Sequence, residues 1–249
     1  MIHDKWVSRT VYASIAMQLV TTGISLDGLN YTLDESDSIL RDILLLEAFV
    51  QVVEAVFYIW VIISLKKLNI MASRRYIDWV ITTPTMLLTT IIFMEYIHKK
   101  GNGDPITVMG FLRENQSNIV KIFTYNWGML LCGFLAEIGV MDPRVGLPLG
   151  FIFFGICFHL IYEQYARHTE TGKRLWTFLV GVWSLYGVAA YMGSRTKNTM
   201  YNILDIVSKN FYGLYLYHYI RSVGTPTVRN NLVGSRTNVS IGSNEVIVS

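Results

Sequence analysis

Seven stretches of this chain are apolar and about 20 residues or more in length, and a stretch like that has two fates: the middle of a large core or the middle of a bilayer. They run over about 8–27, 39–65, 75–97, 118–140, 147–166, 174–194 and 199–221. Composition decides between the two. Of 249 residues, 52% are hydrophobic and only 16% are charged, where a soluble domain carries about 25% charged residues. In hydrocarbon every backbone polar group must be satisfied within its own segment, so spans this long are helices. The expected fold is an all-α membrane protein, a seven-transmembrane-helix bundle. Residues 1–222 form one membrane domain, and 223–249, rich in Ser, Asn and Gly, form a polar, mobile tail. An odd number of spans puts the termini on opposite sides, and the balance of Lys and Arg between the loops favours an N-terminus outside. The net charge of +3 is small and the basic residues are scattered, so no nucleic acid partner is expected. Cys132 and Cys157 lie in different apolar segments and read as buried small hydrophobes. The histidines are isolated, so no metal site is expected, and nothing in the chain reads as the machinery of an enzyme.

Within the last segment, YNILDIVSKNFYGLYLYHYIR, Asp205 and Lys209 stand four residues apart, one turn of a helix. A lysine at mid-bilayer costs roughly 2.5–3.5 kcal/mol on insertion scales, and such a residue is functional by default. Three readings are open on this stretch alone: a functional lysine with a named partner, a Lys–Asp pair that ties helices together, or a lysine carrying a carbonyl ligand as a Schiff base with Asp205 as counterion. Segment three adds Arg75, Asp78, Thr82 and Thr89 along one helical face. Two intramembrane acids and an arginine around one lysine exceed what a structural salt bridge needs, and they suit a permanent buried cation.

At this point the sequence resembles the microbial (type 1) rhodopsins, over about residues 8–221. RYIDWVITTP matches the third-helix signature of that family, and Asp205-x-x-x-Lys209 its attachment motif. WSLYG matches the family's Trp-x-x-Tyr-Pro with Gly187 in place of proline, MLLCGFLAE its Met-x-x-x-Gly run, and FHLIYEQYA the corresponding proteorhodopsin helix. The resemblance implies all-trans retinal bound as a protonated Schiff base to Lys209. It implies Asp78 as primary counterion and proton acceptor, Asp205 as the second, and Arg75 beside them. Tyr76, Trp79, Thr83, Met86, Met129, Gly133, Trp183 and Tyr186 would line the chromophore pocket. A polyene wants flat aromatic walls and a small residue at close approach.

What light drives must be argued separately. An outward proton pump of this type usually has a carboxylic donor eleven residues after its acceptor; that position is Thr89, which supplies no proton near neutral pH. Segment two instead carries Glu47, Gln51 and Glu54 on one face. Carboxylates along a helix stripe suggest a hydrated path that favours cations. Ser14, Gln18 and Thr21 give segment one a polar face, and Asn202 stands one turn before Asp205. Ser14, a segment-two glutamate and Asn202 resemble the central gate of channelrhodopsins, and the pattern looks like the group-one viral rhodopsins, a branch regarded as light-gated cation channels. The expectation is a light-gated cation channel, with Ser14, Glu47, Gln51, Glu54 and Asn202 along its path. The alternatives are an outward proton pump, a sensory rhodopsin, and a seven-helix protein without retinal. The expected partners are the lipid bilayer and small monovalent cations or protons, with a homo-oligomer left open. The expected location is the cell membrane, that of an infected host cell in the viral reading.

Overall fold

The structure is a computed structural model and describes residues 5–64, 68–102 and 106–227. Its elements in chain order are α1 (Lys5–Gly28), β1 (Tyr31–Thr32), a 3-10 turn (Glu35–Asp37), α2 (Ile39–Ser64), α3 (Leu68–Asn102), α4 (Val108–Glu114), α5 (Gln116–Glu137), α6 (Pro143–Gln164), a second 3-10 turn (Ala166–His168), α7 (Glu170–Ala190), α8 (Ser194–Asp205), a π-helical segment (Ile206–Asn210), α9 (Phe211–Val223) and β2 (Thr225–Pro226). α8, the π segment and α9 follow without a break, so among the described residues the long helices number seven, as the apolar segments predict. The short α4 in the longest loop was not legible in the hydropathy. The fold is that of an integral, multi-pass membrane protein.

Local chemistry sets several boundaries. Asp142 caps α6, accepting from the Arg144 backbone N–H at 2.8 Å, with Pro143 at the first helical position. Thr169 caps α7 through the Gly172 N–H at 2.9 Å. After α5 the chain turns at Gly139, φ +76°, a left-handed conformation that only glycine adopts freely.

Among the described residues, four helical stretches are long and apolar enough to cross a membrane on composition alone: Glu35–Ile62, Met71–Lys100, Gln116–Glu137 and Pro143–Gln164. Of the other long helices, α1 is more polar because its polar residues face inward. In α1, Ser14, Gln18, Thr21 and Ser25 are buried while Tyr12, Met17, Leu19 and Val20 face out. This pattern, polar inside and apolar outside, is the reverse of a soluble bundle and is what a lipid solvent allows.

The helices close into a ring, with α1 packed on α2, α8 and α9, α2 on α3, α5 on α6, and α6 on α7. At one end β1 pairs antiparallel with β2, Tyr31 opposite Pro226 and Thr32 opposite Thr225, and the Thr227 N–H donates to the Asn30 carbonyl at 3.1 Å. Residues 225–227 are therefore fastened to the α1–α2 linker. The remainder of the expected tail, 228–249, lies outside the described residues. Cys132 and Cys157 are buried free thiols.

Candidate functional site: a buried lysine at the end of an apolar cavity

The π segment places three consecutive side chains, Ser208, Lys209 and Asn210, in the interior. π segments of this kind often mark functional sites. Lys209 is 2% exposed. Its Nζ lies 2.7 Å from Asp78 Oδ2 and 3.2 Å from Glu54 Oε1. Glu54 is held in turn by Gln18 of α1, whose Nε2 donates to Oε2 at 2.5 Å. The lysine thus faces two carboxylates, from α3 and α2.

Asp205 belongs to a second cluster. Arg75, fully buried, donates to Asp205 Oδ2 at 2.7 Å, to the Tyr58 hydroxyl at 3.1 Å, and to Asn202 Oδ1. Tyr58 donates to Asp205 Oδ2 at 2.7 Å, and Tyr186 to Asp205 Oδ1 at 2.8 Å. The rings of Tyr58 and Tyr201 flank the guanidinium at 5.5 and 5.6 Å. Ser14 Oγ donates to the Asn202 carbonyl at 2.8 Å, and Asn202 Nδ2 to Thr10 Oγ1 at 2.8 Å. Among these contacts Asp205 meets Arg75 and two tyrosines, and the acid drawn to Lys209 beside Asp78 is Glu54.

Breaking a buried ion pair from one side strands the other charge, at a cost of about 3–5 kcal/mol. Arg75→Met is therefore expected to destabilise the fold by that amount, read as an earlier loss of helical signal on heating in detergent; a loss under about 1 kcal/mol would place Asp205 in contact with water.

Beyond Lys209 opens a cavity of about 100 Å³, walled almost wholly by apolar and aromatic side chains, as small-molecule sites are. Tyr76, Trp79, Thr83, Met86, Met129, Gly133, Trp183 and Tyr186 all line it, with Lys209 at its wall. Trp79 stands edge-on to Tyr186 (5.4 Å between centroids) and Tyr201 (5.1 Å), and Trp183 edge-on to Phe158 (5.6 Å). A Cβ at Gly133 would come within 2.7 Å of the Tyr76 hydroxyl, so the glycine keeps that wall clear. At position 187 a Cβ would fall on the ring of Phe151, which takes the room that a proline would need. Asn126 Nδ2 donates to Thr83 Oγ1 at 2.8 Å, fixing the α3–α5 wall.

A matching family model, bacteriorhodopsin-like protein, covers residues 9–223. The chain belongs to the bacteriorhodopsin-like family. Among solved structures the rhodopsin is similar to viral rhodopsin OLPVRII, at 30% identity and TM-score 0.77, covering 88% of this chain and 99% of that one. It shares its fold with Exiguobacterium sibiricum rhodopsin (16% identity, TM-score 0.70, 89% and 99% covered) and with a blue light-absorbing proteorhodopsin from Med12 (19% identity, TM-score 0.66, 88% and 98% covered). No curated protein matches it. Microbial rhodopsins bind retinal through a Schiff base to a lysine, and this interior fits that group: an apolar cavity, a buried amine at its wall, and Asp78 Oδ1 buried there without a protein partner.

The path residues read from the sequence gather on one seam between α1, α2, α8 and α9. Ser14, Glu47, Gln51, Glu54 and Asn202 are all buried, and Gln18, Thr21 and Ser25 of α1 are buried beside them. Thr21 donates to Asn210 Oδ1, and Ser25 Oγ to Gln51 Oε1 at 3.2 Å. Thr89 of α3 donates to Glu47 Oε1. Sequence reasoning left Tyr58 and Asn210 out of the site and placed Glu54 on the ion path alone. Tyr58 stands four residues after Glu54, on the same face, which was a usable signal. Asn210 was hidden because the π segment breaks the 3.6-residue period.

Proposed function

We propose that this rhodopsin is a light-gated cation channel, with all-trans retinal on Lys209 as a protonated Schiff base. When bound, retinal supplies absorption of visible light and a light-driven change of shape beside Lys209. Asp78, at 2.7 Å, balances the charge on that nitrogen and is the nearest proton acceptor. Glu54 shares the charge from 3.2 Å, and its other oxygen is tied to Gln18 of α1. A change of charge at Lys209 therefore acts directly on an α1–α2 contact within the polar seam. Arg75 and Asn202, joined to each other and to Asp205, close the seam at the opposite end from Glu47. With the N-terminus outside, that closed end faces outward.

The observation that carries the channel reading is the seam itself. Gln18 Oε1, Glu47 Oε2, Gln51 Nε2 and Asn210 Nδ2 are buried polar atoms without a protein partner, strung along it. Buried polar groups are costly unless hydrogen-bonded, so a row of them suits a hydrated route, and its glutamates favour cations. One observation favours the pump as second reading: Glu47 of α2 sits on Thr89, so a carboxyl stands beside the donor position that α3 itself lacks.

Vesicles separate the two. In retinal-loaded vesicles with equal solutions on both sides, illumination of a channel produces no pH change, and a preset cation gradient then collapses only in light. Acidification or alkalinisation of the lumen without a gradient, abolished by a protonophore, would replace the channel with the pump.

A further inference from the structure

Gln51 stands between the two glutamates of α2, one turn from each. It is fully buried, its Oε1 accepts from Ser25 Oγ at 3.2 Å, and its Nε2 has no protein partner. Facing it on α9 is Gly213, also buried. A methyl group at position 213 would fall on Gln51 Nε2 inside contact distance, and would lie 3.5 Å from Gln51 Cδ and 3.7 Å from Ser25 Oγ. Backbone conformation does not call for glycine here, because the one glycine with positive φ among the described residues is Gly139. The missing methyl supplies room for the Gln51 amide, the nearest group to it.

Resting on the channel reading, we propose that Gln51, clamped between Ser25 and Gly213, is the constriction that sets how large a cation the path admits. Three observations converge on it. The amide takes the space beside Gly213 that a Cβ there would occupy, with Ser25 of α1 close by on its other side. It is the neutral point between two carboxylates, so cations are drawn to either side and sorted by size at the amide. One hydrogen bond from Ser25 holds it, so the side chain is free to swing when the helices part. Pore diameter and lining hydrogen-bond groups are the general determinants of which ion passes. A competing explanation is that Gly213 only brings two helix backbones together, as small residues do in membranes. In that case substitution would weaken packing and leave selectivity alone.

The test is whole-cell recording under illumination with sodium inside and, outside, either sodium or an organic ammonium ion of larger radius. Gln51→Ala is expected to raise the permeability of dimethylammonium relative to sodium several-fold, seen as a shift of reversal potential. Gly213→Ala pushes the amide into the path and is expected to lower photocurrent per pigment several-fold; the Gln51→Ala/Gly213→Ala double variant regains it, because the clash partner is gone. All three keep the parent absorption band, as neither residue lines the retinal cavity. Unchanged relative permeability in Gln51→Ala overturns the proposal, as does a double variant no better than Gly213→Ala alone. Gln51→Ala only removes atoms and decides the matter by itself if Gly213→Ala yields no pigment. A parent protein without reversing photocurrent is a different failure: it removes the channel reading, and the constriction with it.

Discussion

Lys209→Ala is expected to abolish the visible absorption band that forms when retinal is added to the protein, and with it every light response. Lys209 is the cavity-lining lysine, 2% exposed, with its Nζ 2.7 Å from Asp78. Its removal takes away the nucleophile and also leaves Asp78 and Glu54 facing one another in an apolar interior without a cation, so some loss of stability accompanies it. Lys209→Arg separates the two effects. A guanidinium stays charged and forms no Schiff base, so this variant keeps a cation beside the acids and should fold better than Lys209→Ala while remaining colourless. Absorption spectra of the purified variants, read against helical content, check both. A visible band of parent intensity in either variant would place the attachment elsewhere.

Glu54→Gln is expected to have the next largest effect, and on two readouts together. Glu54 is 3.2 Å from the lysine nitrogen and is held by Gln18. Replacing that carboxyl leaves Asp78 as the one acid in contact with the lysine nitrogen, which should displace the absorption maximum. It also removes a carboxylate from the seam. A cation inside a bilayer is stabilised by such partners on a scale of a few kcal/mol, and each 1.4 kcal/mol is a factor of about ten, so photocurrent at a given pigment density should fall about tenfold. Glu47→Gln is the internal control. Glu47 is bonded to Thr89 and not to Lys209, so its substitution should change current with little displacement of the band. If both glutamines leave current and reversal potential at parent values, the path does not follow this seam.

Much of this arrangement was legible in the residues. The seven helices follow from apolar length, while Asp142–Pro143, Thr169 and Gly139 set ends a few residues from where the apolar stretches begin and stop. The stripe of Arg75, Asp78, Thr82 and Thr89 is buried along its whole length, since α3 stays helical through Pro84. The aromatic lining of the cavity followed from motif resemblance, and the cavity contains every residue so named. The partner of each acid was harder to read. Asp205 shares a helix with Lys209 at one-turn spacing, so the sequence pairs them, yet the π segment rotates Lys209 toward α2 and α3 and leaves Asp205 with Arg75, Tyr58 and Tyr186. No hydropathy pattern announces a single widened turn. Likewise Thr89 argues against a proton donor only while α3 is considered by itself; the neighbouring helix brings Glu47 to it, a tertiary contact beyond the reach of any spacing rule. The β1–β2 pairing joins segments nearly the whole chain apart, through two residues each, too short to leave a strand signature.

Whether light opens a passive cation path is decided by the reversal potential of the photocurrent at two external sodium concentrations. A sodium-selective passive path moves that potential by about 59 mV for a tenfold change in concentration, and a path shared with protons moves it less, with the balance restored by a pH step. A photocurrent that stays outward at every accessible voltage and ignores both concentrations would contradict the account and make this rhodopsin a pump.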